Sequence, residues 1–139
     1  MKTIALFLFL FLSNNIAASD IHWEAAILEK MLTSMTEKNE IKVYAHDKSL
    51  YQVCKEMRNI SKVNNCNKAD FILAEKELQT SCKKPKIVFN YNEFKNNPYA
   101  VGVFFWQKGR PTIRFSSKRL KNFGLQVEGE LAKFVSSKN

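Results

Sequence analysis

"AVGVFFWQKGRPTIRF", residues 100–115, places two β-prone runs on either side of a glycine-containing link. Residues 101–106 and 112–115 are rich in β-branched and aromatic types, and the five residues between them include Gly109, which accepts a positive φ. Two such runs at this spacing predict an antiparallel hairpin. Alternation along the first run sends Phe104 and Trp106 to one face and Val103 and Phe105 to the other.

Upstream of the hairpin the pattern changes. "ADFILAE" (69–75) and "KIVFNY" (86–91) are short unbroken apolar runs, the kind that strands buried on both faces of a parallel sheet show. "IKVYAH" (41–46) alternates apolar and polar residues and predicts another strand, with a further short one at 60–63. Helices separate these strands. Asp20 can cap a first helix whose stripe is Ile21, Ala25, Leu28, Leu32 and Met35, ending near Lys38. Asp47 or Ser49 can cap a second, with Leu50, Val53, Cys54 and Met57 on one face. Residues 76–81 have room for one or two helical turns, and 64–68 form a loop. Downstream, Ser116 or Ser117 caps a helix to about Phe123 that Gly124 stops, and "LQVEGELAKFV" (125–135) predicts a terminal helix with Leu131, Phe134 and Val135 together. Strands alternating with helices and closing on a hairpin predict an α/β three-layer sandwich with a mainly parallel sheet.

The N-terminus reads differently. Met1-Lys2, the apolar run from Ile4 to Leu12 and the small residues up to Ser19 have the layout of a secretory signal peptide over residues 1–18. That run is about half the roughly 20 apolar residues needed to span a bilayer, and no later stretch is as long. The expectation is export through a cleaved signal peptide, with residues 19–139 as one domain and no transmembrane segment after cleavage. A 45% hydrophobic content is enough for a packed core at this size. The net charge of +9 falls by one when Lys2 is removed, and the cations are spread along the chain rather than blocked together. That distribution suits solubility and attraction to an anionic membrane surface or an acidic partner domain, and with export it argues against nucleic acid.

Catalytic signatures are missing from the sequence. His22 and His46 have no ligand-spaced partners, so no metal site is expected. There is no G-x-S-x-G elbow, and four glycines are too few for a phosphate-cradling loop. His46-Asp47 falls at the end of the first strand, the edge where open α/β sheets bind ligands, and Asn90 falls at the end of another. His46, Asp47 and Asn90 are therefore the candidates for a small-molecule or anion site. Cys54, Cys66 and Cys82 would meet an oxidising compartment. Cys54 sits on an apolar helix face and reads as a buried thiol. Cys66 and Cys82 each precede a parallel strand, so both fall at one sheet edge and form the preferred bridge, with Cys54 to either as the alternative.

In the C-terminal portion, "VGVFFWQKGRPTIRF" followed by "SSKRLKNFGLQVEGELAKFV" resembles the YfiR-like family of small periplasmic proteins, which restrain a membrane diguanylate cyclase. Gly124-Leu125 and Leu131 fall at the matching places. The resemblance implies an α/β fold, no enzyme activity, no cofactor, and binding to the periplasmic domain of a membrane signalling protein or to a second copy as a homodimer. Phe105, Trp106, Lys108, Arg110 and Arg114 of the hairpin are the residues expected to meet such a partner.

Overall fold

The computed structural model describes residues 21–75 and 82–137. The signal segment, the Asp20 cap and the turns expected over 76–81 lie outside the described residues. Helix α1 (21–35) buries Ala25, Leu28, Met31, Leu32 and Met35 along the expected stripe and ends before Lys38. Then follow β1 (Ile41–Ala45), α2 (Lys48–Lys55), β2 (Ile60–Lys62), a 3-10 turn (Cys66–Lys68), β3 (Phe71–Ala74) and β4 (Lys86–Val88). The chain continues through α3 (Tyr91–Asn96), β5 (Ala100–Gln107), β6 (Arg110–Ser116), α4 (Ser117–Asn122), a 3-10 segment (Gly129–Phe134) and β7 (Val135–Ser136).

The strands form one sheet in the order β2-β1-β3-β4-β5-β6-β7. The first five in that order are mutually parallel, β5 and β6 are antiparallel, and β7 runs parallel to β6. The α/β class with a mainly parallel sheet and a C-terminal antiparallel hairpin is the architecture expected from the sequence. β3 is buried along its whole length, as a strand covered on both faces must be. β1 alternates instead: Ile41, Val43 and Ala45 are buried while Lys42 is exposed.

The two faces are covered unequally. On the first, Ile41, Val43, Phe71, Leu73, Ile87, Phe104 and Phe115 pack with the stripes of α1 and α2 and with Leu120, Val127 and Leu131 in one large cluster. Each fully buried side chain of this size contributes about 1.5–3 kcal/mol relative to exposure. Among the described residues the second face holds two smaller clusters. One joins Val88, Ala100 and Val103 to Phe94 of α3, and the other joins Ile72 and Ala74 to Cys82. A bulge in β5 sets the pattern: Lys86 pairs with Ala100 but Ile87 with Gly102, so Val101 is an extra residue. Gly102 sits tightly here, since a Cβ would stand 3.2 Å from the Phe115 ring and 3.3 Å from Met31 Cε and would push on both.

Four local expectations are corrected. The strand expected over 86–91 stops at Val88, since Asn90 caps α3 with its side chain accepting from Glu93 N at 2.8 Å. The hairpin link is two residues, not five: Lys108 (φ 51°) and Gly109 (φ 74°) turn the chain while Gln107 still pairs with Arg110. Two successive positive φ values match the twist of the strands, which lets pairing continue to the tip. The terminal α-helix is absent. Glu128 is extended and its N–H donates to Ser34 O of α1 at 2.9 Å, and Gly129 has φ 79°. The chain then makes a 3-10 segment, tied to α1 by the Lys30–Glu130 ion pair, before Val135 pairs with Phe115. Last, Asp47 stands at the N-cap of α2 but its carboxylate makes no cap hydrogen bond there.

Candidate functional site

The hairpin leaves the core gradually. Along β5 the residues are buried through Phe104, Phe105 is half-buried, and Trp106 is 50% exposed. The cause is cover: the first-face cluster ends at Phe104, and Trp106 lies edge-on against that ring with centroids 5.8 Å apart. Phe105 turns to the other face, where it meets the exposed Tyr91 ring edge-on at 6.4 Å and the Val103 cluster. Face assignment along β5 is thus as alternation predicts. Lys108, Arg110 and Arg114 are exposed, and among the described residues none of them has an acidic partner. Arg114, opposite Val103, reaches only the carbonyl of Ile113 at 3.4 Å. The tip therefore presents half-exposed Trp106 on one face and half-buried Phe105 with the exposed Arg110 and Arg114 on the other.

The strand-end residues do a different job. Asp47 Oδ2 accepts from Glu75 N at 3.2 Å and Ser49 Oγ donates to Glu75 Oε2 at 2.9 Å, so the crevice between the ends of β1 and β3 is stitched together. His46 is exposed, with its Nδ1 3.4 Å from the Tyr44 hydroxyl. Asn90 is engaged as the α3 cap, at the end of β4 and about 10 Å away across two strand spacings. No group of three or more His, Cys, Asp or Glu residues suited to a metal occurs among the described residues.

Cys66 and Cys82 are joined in a disulfide with Cα atoms 6.1 Å apart, the preferred pairing, and it lies on the second face beside Ile72 and Ala74. Cys54 is free and buried. Burial pushes its thiol up to about 11, against a smaller downward pull from Lys62, so it is no nucleophile near neutral pH.

Two residues matter that sequence reasoning did not single out. Lys86, the first residue of β4, is only 4% exposed, under α3 and the ring of Tyr99, whose centroid is 5.7 Å from Nζ. Burial pulls its pKa down, with Glu93 opposing from nearby. It lines an open cleft of about 530 Å³ together with Asn92, Glu93, Asn96, Asn97 and Tyr99. Arg119 of α4 donates to the carbonyls of Phe94, Ala100 (3.0 Å) and Lys95 (3.1 Å), which clamps the C-terminal end of α3 beside that cleft. The signal for α3 was Asn90 followed three residues later by Glu93, a helix-start pattern inside an asparagine-rich stretch.

No helix among the described residues is long and apolar enough to cross a membrane. No protein-family model matches the chain, and no curated protein shows significant similarity to it.

Proposed function

We propose that the protein is an exported, non-enzymatic regulator that binds the periplasmic domain of a membrane signalling protein, a diguanylate cyclase or histidine kinase, and biases its output. The observation that carries this reading is the hairpin tip, which exposes Trp106 on one face and Arg110 and Arg114 on the other, with Lys108 at the turn and, among the described residues, no acidic partner for any of the three cations. Aromatic and arginine side chains concentrate binding energy at protein interfaces, and a cationic rim steers an acidic partner into register. A regulator of this kind works by binding one conformation of its target more tightly than the other.

The test is capture from native membranes with the purified protein as bait, alongside cyclic dinucleotide and kinase output in a deletion strain. Recovery of a signalling protein, with binding weakened at least about tenfold by Trp106→Ala or Arg110→Glu and the fold intact, is the expected result. Unchanged binding in both variants assigns the hairpin to the scaffold. Recovery of no signalling protein, with no change in output on deletion, ends the reading.

A further inference from the structure

The stretch between Glu93 and Glu128 contains no acidic residue and seven lysines and arginines, and it includes the whole of the hairpin. The hairpin tip stands clear of the core: Trp106 to Pro111 are all exposed, whereas Phe104 is buried and Phe105 and Thr112 are half-buried. At about 3.4 Å per residue, the two outer rungs and the turn project roughly 7 Å. Lys108 and Arg110 stand on this projection, with Arg114 behind them on β6.

This make-up is that of an anchor at a membrane interface. An indole half out of the core suits the headgroup level, where one end of the ring meets apolar chains and the other stays wet. Interfacial anchors reach about 5–10 Å into the headgroup boundary, which is the depth the tip offers. Backbone groups entering that layer need partners, and here pairing continues to Gln107 and Arg110 while Pro111 brings no N–H. The placement of charge points the same way. Trp106 and Pro111 share one face, and Arg110 is on the other with Lys108 at the turn. A protein surface pressed on one face leaves the other unused, whereas a headgroup layer closes round a projecting tip and meets both. Each cation near an anionic leaflet adds attraction, and no acid in this stretch opposes it. We propose that the hairpin tip docks the protein on an anionic phospholipid surface, with Trp106 at the headgroup–acyl boundary and Lys108 and Arg110 on lipid phosphates. This goes beyond the regulatory reading and needs no protein partner; Tyr91, Phe105 and Arg114 stay above the headgroups.

Co-sedimentation of the purified, signal-free protein tests this, with vesicles of phosphatidylcholine alone and vesicles of equal parts phosphatidylcholine and phosphatidylglycerol. Binding to the anionic vesicles at least about tenfold above the neutral ones, falling as salt is raised, is the expected result. Lys108→Gln and Arg110→Gln should each weaken it about fivefold, and Trp106→Ala several-fold. Trp23→Phe leaves Trp106 as the sole tryptophan. Emission from that variant should move to shorter wavelength on the anionic vesicles only, and brominated acyl chains should quench it. Circular dichroism checks that each variant is folded, and the salt dependence and emission shift need no substitution at the tip. Equal binding to both vesicles, or to neither, overturns the proposal. So does unchanged binding in the folded tip variants, an unshifted Trp106 emission, or a tip that captures an acidic protein domain and ignores the vesicles. The vesicles hold no protein, so failure here leaves the signalling-partner reading standing, and failure to capture a signalling protein leaves this one standing.

Discussion

Arg119 shows how much of this fold hangs on one side chain. A helix of six residues has few internal hydrogen bonds, and its last carbonyls have no partners of their own. The guanidinium supplies partners for two of them and for the carbonyl of Ala100, so α3, the start of β5 and α4 are held at one point. Burial pulls the Arg119 pKa down from the ordinary arginine range, but the planar fork is what allows three simultaneous contacts. Arg119→Ala is expected to cost about 1.5–3 kcal/mol in urea unfolding, the range for hydrogen bonds to a charged group. Arg119→Lys should recover only part of this, because a single ammonium cannot span the same set. A loss within about 0.5 kcal/mol of zero for Arg119→Ala, the range of an ordinary surface change, sinks the clamp.

At the level of elements, the hairpin turn is closed by pairing up to Gln107 and Arg110 yet holds a lysine where the backbone is left-handed. Lys108 adopts φ 51°, a left-handed conformation that costs an L-residue roughly 1–2 kcal/mol and that asparagine tolerates better. Lys108→Asn is therefore expected to stabilise the protein by about 0.5–1 kcal/mol, read as a higher thermal midpoint; a lower midpoint would show the turn is set by side-chain contacts instead. The strands were legible because Ile41, Val43, Phe71 and Leu73 repeat with a period of two or in unbroken runs that only a sheet buries. Ser116 as the α4 cap and Gly124 as its stop were legible for the same local reason. The C-terminal segment was not, since the apolar spacing of Leu131, Phe134 and Val135 fits a helix, and only tertiary bonds from Glu128 to Ser34 and from Val135 to Phe115 draw it away. The cleft was hidden by a single omission. Without α3, Lys86 is an ordinary lysine at a strand end; with α3 above it, the same residue is buried.

For the molecule as a whole, the disulfide and the clamp tie down the second face, whose described clusters are small. Cys66 lies between β2 and β3 and Cys82 between β3 and β4, so the bond gathers two crossovers over the same strands. Closing a loop with a sequence separation of 16 contributes about 3 kcal/mol on the chain-entropy view. Reduction should lower the urea midpoint accordingly. Thiol titration checks the pairing: the folded chain should give no reactive thiol, the unfolded unreduced chain one, from Cys54, and the reduced chain three. Three thiols before reduction would rule the bridge out. The ends of the sheet carry a different consequence. β2 has three residues and β7 two, and β7 pairs only with Phe115 and Ser116. The remaining outer stretch of β6 has Pro111, which offers no N–H, between the charged Arg110 and the polar Thr112, with Arg114 beyond. Among the described residues both borders are thus short or carry charged side chains and a proline, which disfavours pairing with the edge of a neighbouring copy.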